Sequence, residues 1–150
     1  MLNKSFLVNI SGQIKSYSKT INVDSDKSIS IRSFLVGAIS HNISEIKNVL
    51  ESEDIFSCIN CLRKLGVKIK KVKTKHYLVY GKGLGSFYAK KNVTLDCGNS
   101  GTTARLLLGL LSTNPNIQVK IKGDHSLNKR DMSKIINLMN RFGTTFLPKN

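Results

Sequence analysis

The sequence predicts an α/β fold built from repeated βαβαββ units, about two of which are present. Segments in which apolar and polar residues alternate, as in strands, are followed by segments with apolar residues at every third or fourth position, as in helices. A pair of residues spaced four apart at a predicted helix start recurs 73 residues later, as Ser28/Arg32 and Gly101/Arg105. A chain of 150 residues, 40% of them hydrophobic, can also bury a core. We therefore expect residues 1–150 to form one partial domain of two similar units.

The first unit is expected at about residues 20–90. Ser52 is the predicted N-cap of its second helix, and Gly66 is the predicted stop, since glycine accepts the left-handed backbone that ends many helices. Lysines that alternate with apolar residues after Gly66 predict a strand with one wet face, paired in a hairpin around Thr74. The predicted elements up to this point are strands at 5–10 and 20–23, a helix at 27–39, a strand at 45–50, a helix at 53–65, and strands at 67–73 and 76–79.

The second unit is expected at about residues 91–150. Its predicted elements are a strand at 93–96, a helix at 102–111, a strand at 117–121 and a helix at 131–142. Three successive leucines, Leu106 to Leu108, predict that the first of these helices is buried on most sides. The last helix places apolar residues on one face and has Gly143 as its predicted stop.

The chain is strongly basic, with 24 Lys and Arg against 9 Asp and Glu and a net charge of +15. Such a balance suits nucleic acid, an anionic surface or small anionic substrates. The lysine-rich segment 64–75 is interpreted as a solvated face, and a nucleic-acid surface there has only Tyr77 and Tyr80 as stacking aromatics. No apolar run is long enough for a membrane span or a signal peptide. We expect a cytoplasmic protein with neither nucleic acid nor membrane as a partner.

The cysteines and histidines give no pattern for a metal or a disulfide. Cys58 and Cys61 form a C-x-x-C inside a helical pattern, without a second pair at zinc-finger spacing, and are interpreted as small core residues. The glycine-rich loop 81–85 follows a strand without opening a helix, which argues against a dinucleotide site. No metal and no cofactor is therefore expected.

The segment 94–105 carries the strongest functional signal. A short strand runs into the turn Gly-Asn-Ser-Gly, and an apolar helix follows, so that free backbone N–H groups of the helix start face the turn. Gly98 and Gly101 allow a close approach of backbone to a ligand, and Asn99 or Ser100 is the expected cap. Arg105 lies one turn into the helix. The pattern predicts an anion site, and it is equally typical of an ordinary capped helix.

Three segments carry a resemblance that favours the functional interpretation. Residues 95–105, Leu-Asp-Cys-Gly-Asn-Ser-Gly-Thr-Thr-Ala-Arg, resemble the signature of the enolpyruvyl transferases, and within them of the 5-enolpyruvylshikimate-3-phosphate (EPSP) synthase family. Residues 26–32, Asp-Lys-Ser-Ile-Ser-Ile-Arg, resemble that family's first substrate loop, and residues 123–132 resemble its third. The three matches are collinear, which makes the resemblance specific. Family chains are several-fold longer, so the resemblance implies an N-terminal part.

The resemblance implies a fold, a reaction and a set of site residues. The fold is an inside-out α/β barrel of three units per domain, with helices inside and sheets outside. The reaction transfers the enolpyruvyl group of phosphoenolpyruvate to the 5-hydroxyl of shikimate 3-phosphate, which releases phosphate. Lys27 is implied to be catalytic and to touch both substrates. The other implied substrate-binding residues are Ser28 and Arg32 for shikimate 3-phosphate and Asn99, Gly101 and Arg130 for phosphoenolpyruvate, with Thr102 and Arg105 in support.

The chain departs from the family pattern at several positions. Asp24-Ser25 stands in place of Pro-Gly, Ile31 replaces a polar residue, and Asp131 stands in place of a proline after Arg130. The proton-accepting aspartate and further Arg and Lys residues belong to later parts of family chains. The open alternatives are therefore an active half with a complementary C-terminal polypeptide, an inactive remnant, and a basic nucleic-acid-binding module. The branch acting on UDP-N-acetylglucosamine matches residues 26–28 and 123–124 less well.

Overall fold

The computed structural model describes residues 24–147, which form five helices and five strands. The strands predicted at 5–10 and 20–23 lie outside these residues. Within residues 24–147 no helix is long and apolar enough to cross a bilayer. The elements in chain order are α1 (Lys27–Ile39), β1 (Ile43–Lys47), α2 (Glu53–Lys64), β2 (Lys68–Lys73), β3 (His76–Tyr80), β4 (Thr94–Asp96), α3 (Gly101–Leu111), β5 (Lys120–Lys122), α4 (His125–Asn128) and α5 (Ser133–Asn140).

The first five elements form an antiparallel sheet covered by two helices. The strand order is β1-β3-β2, and the predicted hairpin between β2 and β3 is confirmed, with Lys75 in the left-handed backbone region of its turn. Ile69 is buried while Lys68 and Lys70 are exposed, as the alternation in the sequence predicts. The Lys68 ammonium lies 4.8 Å from the centre of the Tyr80 ring. The lysine-rich face is thus the outer face of this sheet.

The core lies between the sheet and helices α1 and α2. Phe34 of α1 is fully buried and meets Tyr77 of β3 edge to face, with ring centres 5.3 Å apart. Helix α2 contributes fully buried Ile55 and Leu62. Gly66, at φ +86°, ends α2 as predicted. These apolar faces hold α1 against the sheet and so fix residues 26–32, the first of the three motifs.

The second part of the chain has a smaller sheet. Strands β4 and β5 pair in parallel, and α3 connects them, as expected for a βαβ unit. Leu95 of β4 and Leu107 of α3 are fully buried against the common core. The order helix, strand, helix occurs in both parts of the chain, and the unit boundaries near residue 90 stay a prediction.

Several predicted boundaries are wrong, for local reasons. The strand predicted at 45–50 is observed as β1 and already ends at Lys47, because Asn48 takes a left-handed backbone conformation that ends the ladder. Ser52 occupies the N-cap position of α2, yet its buried hydroxyl has no hydrogen-bond partner within residues 24–147. The strand predicted at 117–121 is observed as the shorter strand β5, Lys120–Lys122. The helix predicted at 131–142 is the shorter α5, which begins after a turn in which the Asp131 carboxylate accepts from the Ser133 N–H. The short helix α4, capped by Asp124, was not predicted.

The burial predicted for the second unit's helices is also only partly correct. Leu107 is buried, whereas Leu106 is 38% exposed, so α3 is buried on one side rather than on most sides. No residue of α5 itself is buried, and Phe142 just after it is 73% exposed.

The three cysteines are free and buried, in agreement with their interpretation as core residues. Burial raises the pKa of the Cys58 thiol to about 12. A hydrogen bond between the Cys61 and Cys97 thiols lowers the pKa of Cys61 and raises that of Cys97. Cys61 also donates to the Asp96 carbonyl, which ties α2 to the end of β4.

A carboxylate at the edge of the first sheet gives a testable pH dependence. Glu51 accepts hydrogen bonds from the Lys71 ammonium, the Tyr77 hydroxyl and the Lys75 backbone N–H. The Lys71 contact, then that of Tyr77, lowers the pKa of Glu51 from 4.5 to about 2. A depressed carboxyl pKa stabilises the fold above the unfolded value, and the contribution is lost as the pH falls from 4.5 towards about 2.

We therefore expect Glu51→Gln to lower the melting temperature at neutral pH, and the difference from the wild type to shrink as the pH falls below 4.5. Thermal melts followed by circular dichroism at a series of pH values measure this difference. Glu53→Gln is the matched control, because Glu53 is exposed and has no ion pair within the described residues. A difference for Glu51→Gln that stays constant with pH would contradict the prediction.

Candidate anion-binding site

The first of the three motifs, residues 26–32, lies at the start of α1. Asp26 caps the helix, since its carboxylate accepts from the Ile29 N–H at 2.7 Å. Lys27, the first helical residue, forms an ion pair of 3.0 Å with Asp54 in the first turn of α2. Half of the Lys27 side chain is exposed, so this pair is weak and the ammonium can exchange partners. No pattern in the sequence indicated Asp54 as its partner.

The second motif is the turn between β4 and α3. Gly98 has a φ of +55°, a conformation that favours glycine, and a Cβ there would lie 2.8 Å from the Ser57 hydroxyl, which would have to rotate away. The Asp96 carboxylate accepts from the Gly98 N–H. Of the two predicted caps, Ser100 is the one used: its side chain accepts from the Thr103 N–H and donates to the Thr103 hydroxyl. The turn is thus held rigidly, and Gly101 becomes the first residue of α3.

The third motif is joined to the second through the backbone. The Cys97 N–H donates to the Lys122 carbonyl, and the Asp124 N–H donates to the Gly98 carbonyl, both at 2.8 Å. These bonds continue the β4–β5 pairing past the ends of the strands. The motifs, about 25 residues apart in sequence, therefore lie side by side.

Two guanidinium groups meet at Gly101. A Cβ on this residue would lie 2.7 Å from Nη1 of Arg130 and 3.2 Å from Nη2 of Arg105. Arg130 also donates from Nη2 to the Asn99 side-chain oxygen at 3.1 Å. The structure thus brings together Asn99, Gly101 and Arg130, three of the predicted residues. Thr102 follows Gly101 in the first turn of α3 and is half-buried.

Arg105 has a larger part in this arrangement than the sequence interpretation gave it. It lies four residues after Gly101, and residues at that spacing share a helix face. The four-residue spacing was the feature of the sequence that could have indicated this larger role of Arg105. Two exposed arginines beside a glycine and a helix start provide charge-assisted donors suited to a phosphate or a carboxylate.

The residues predicted for the other substrate are placed separately. Ser28 and Arg32 lie four residues apart and share a face of α1. Arg32 borders a groove of about 550 Å³ between α1 and β1, with Ile29 and Val36 among its other lining residues. Lys27, Gly101 and Arg130 do not line that groove. Because groups that bind two small anions must lie close together, we expect Lys27, Arg32, Gly101 and Arg130 to line one cavity, and this stays a prediction.

Comparison with known proteins identifies the motifs. The family model described as EPSP synthase (3-phosphoshikimate 1-carboxyvinyltransferase) matches residues 12–147. The chain belongs to the EPSP synthase family. Two curated relatives named 3-phosphoshikimate 1-carboxyvinyltransferase are similar to it. The protein of Syntrophomonas wolfei is 44% identical over 127 residues, which are 85% of this chain, and that of Caldicellulosiruptor saccharolyticus is 42% identical over 139 residues, which are 93% of it.

Solved structures of EPSP synthase confirm the predicted fold class. One from Acinetobacter baumannii superposes with a TM-score of 0.71 at 36% identity and covers 80% of this chain. A second structure from the same organism gives a TM-score of 0.73 at 35% identity. The chain spans only part of these proteins: 29% and 31% of the two curated relatives and 28% of the first solved structure.

Proposed function

We propose that this chain is the N-terminal part of an EPSP synthase. The complete enzyme transfers the enolpyruvyl group of phosphoenolpyruvate to shikimate 3-phosphate and releases phosphate, a step in the synthesis of chorismate and the aromatic amino acids. The observation that carries the proposal is the pair of guanidinium groups, from Arg105 and Arg130, at the glycine that opens α3. Family membership supports the reaction, and the geometry supports an anion at this position.

In the proposed mechanism Asn99, Gly101 and Arg130 hold phosphoenolpyruvate. Arginine binds phosphate and carboxylate groups bidentately, and the missing side chain at Gly101 lets the Arg130 guanidinium lie close to the start of α3. Thr102, in the next position, supports this site. The same donors would stabilise negative charge that develops on phosphate as it leaves.

Lys27 is the proposed catalytic residue, and it binds both substrates. Its ammonium is paired with Asp54, a carboxylate that a substrate anion would replace. Ser28 and Arg32, on one face of α1, are proposed to bind shikimate 3-phosphate. No metal or other cofactor has a part in this proposal.

The remaining catalytic groups are proposed to come from a complementary C-terminal polypeptide. Ile29 and Val36, beside Arg32 in the groove of α1, are 64% and 63% exposed, and Leu138 and Phe142 are exposed near α5. Such a polypeptide would remove these apolar side chains from water. Three free cysteines fit the reducing cytoplasm, which is the proposed location.

A nucleic-acid-binding function has less support from the geometry. Tyr77 is 2% exposed in the core, and Lys68 lies over the Tyr80 ring. Neither aromatic face is free to stack on a base.

Titration of the isotope-labelled 150-residue chain with phosphoenolpyruvate, followed by NMR, tests the proposed site. We expect backbone signals of residues 98–102 and side-chain signals of Arg105 and Arg130 to shift together. Arg130→Gln should abolish the shifts, whereas Arg141→Gln, an equal loss of charge at the end of α5, should leave them unchanged. Equal responses in the two variants would mean that binding reflects overall charge and would refute the site.

Gly101→Ala gives a second, smaller change at the same place. The new methyl group would stand 2.7 Å from Nη1 of Arg130, so the guanidinium must move away from the helix start. Loss of one charge-assisted hydrogen bond costs roughly 1.5–3 kcal/mol, and we expect phosphoenolpyruvate to bind at least about tenfold more weakly.

Gly109→Ala is the matched control, because a Cβ at Gly109 of α3 has nothing within 4 Å. Calorimetric titration of both variants measures the difference in affinity. Unchanged affinity in Gly101→Ala would show that the ligand does not use this approach.

A further inference from the structure

Asp124 is connected to the anion site through the side chain of Asn99. Its Oδ2 accepts a hydrogen bond of 2.7 Å from the side-chain amide of Asn99, and the Asn99 oxygen accepts one of 3.1 Å from Nη2 of Arg130. The other carboxylate oxygen caps α4 by accepting from the Leu127 N–H. One carboxylate thus connects a helix cap, an amide and a guanidinium.

Asp124 fixes the direction of the hydrogen bonds that run from it through Asn99 to Arg130. An ionised carboxylate only accepts, so the Asn99 amide must turn its NH₂ group towards Asp124 and its oxygen towards Arg130. The opposite orientation would set the NH₂ group against the guanidinium, two donors facing each other. The bond from Asn99, followed by that from the Leu127 N–H, keeps the pKa of Asp124 below its ordinary value, so the carboxylate is ionised at neutral pH.

We propose that Asp124 is a positioning residue: through the Asn99 amide it fixes the Arg130 guanidinium beside Gly101. The inference rests on the proposed function, in which Arg130 binds phosphoenolpyruvate. With Nη2 held by Asn99, Nη1 is the group directed at the helix start. Asp124 does not touch the ligand. Its negative charge near an anion site is acceptable because it is engaged by Asn99 and the α4 cap.

The test uses Asp124→Asn, because asparagine caps helices as well as aspartate does. Its oxygen keeps the Leu127 bond, and its NH₂ group then faces Asn99, which must flip and turn a donor towards Arg130. We expect the guanidinium N–H signals of Arg130 to broaden in NMR spectra of the ligand-free variant. The added exchange Asn99→Asp restores an acceptor for both neighbours, and the double variant should recover the sharp signals.

Asp131→Asn is the matched control. Asp131 also caps a turn, accepting from the Ser133 N–H, and it lies next to Arg130 in sequence without contacting Asn99. It removes the same charge and should leave the Arg130 signals sharp. With inorganic phosphate as the probe, Asp124→Asn should bind about tenfold more weakly than Asp131→Asn, as expected for one lost charge-assisted hydrogen bond.

Identical Arg130 signals in the two single variants, or no recovery in the double variant, would reduce Asp124 to a helix cap and overturn the inference. Equal phosphate affinities of the two single variants would do the same. Ordered Arg130 signals that depend on Asp124, in a chain that binds phosphate and fails to bind phosphoenolpyruvate, would support the inference while contradicting the proposed function.

Discussion

The purified 150-residue chain is expected to release no phosphate from shikimate 3-phosphate and phosphoenolpyruvate above the uncatalysed rate. The chain spans about 30% of the relatives' length. The resemblance places the proton-accepting aspartate and further Arg and Lys contacts in later parts of those chains. Loss of the acid–base group alone removes about 10²–10⁴ in rate. Incomplete positioning of the two substrates removes several further powers of ten.

A phosphate-release assay measures this directly, with the complete Syntrophomonas wolfei relative as the positive control. A polypeptide equivalent to the remaining C-terminal part of that relative, added to the chain, should restore phosphate release. Arg130→Gln should abolish the restored activity. A kcat near 10 s⁻¹, about the median for enzymes, from the chain alone would contradict the proposal that a second polypeptide supplies essential groups.

Phe34→Ala should cause the largest loss of stability among single substitutions discussed for the fold. The ring is fully buried between α1 and the sheet and contacts Tyr77. Removing a buried phenylalanine costs about 3–5 kcal/mol, as transfer and cavity terms together. A domain of this size is stable by only about 5–15 kcal/mol, so much of the variant should be unfolded in moderate urea.

Urea unfolding followed by circular dichroism gives the difference in free energy. Phe142→Ala is the control, because it removes the same side chain from a position that is 73% exposed, where changes lie within about 0.5 kcal/mol. Large losses in both variants would mean that Phe142 is covered in solution. Small losses in both would mean that Phe34 is not the centre of the core, and either result would contradict the prediction.

The parts of the fold that depend on local chemistry could be predicted from the sequence. The start of α1 follows from the Asp26 cap, and the end of α2 follows from Gly66, whose backbone only glycine adopts without strain. The alternation of lysine and apolar residues predicted β2 and its exposed face. Strand ends were less predictable, since a left-handed residue such as Asn48 ends a ladder without a strong signal in composition.

The site was predictable at the level of motifs and not of partners. Glycine spacing and resemblance located Asn99, Gly101 and Arg130, and the structure places these three together. The contacts of Lys27 with Asp54 and of Asn99 with Asp124 join residues more than 20 positions apart. Such pairs depend on how helices and strands pack, which a single sequence does not specify. Convergence of Lys27 and Arg32 on the same cavity stays a prediction.

The strands of the first sheet lie close together in sequence, and this bears on the order in which the nascent chain folds. Within residues 24–147, the strands that pair in the β1-β3-β2 sheet all lie between residues 43 and 80. At a synthesis rate of about 5–20 residues per second, roughly 3 to 10 s separate the addition of Tyr80 from that of Arg130. Antiparallel pairing with a short hairpin is complete within microseconds to milliseconds once its residues are free. During translation, the finished sheet with α1 and α2 is therefore expected to act as a template on which β4 and its glycine turn dock later.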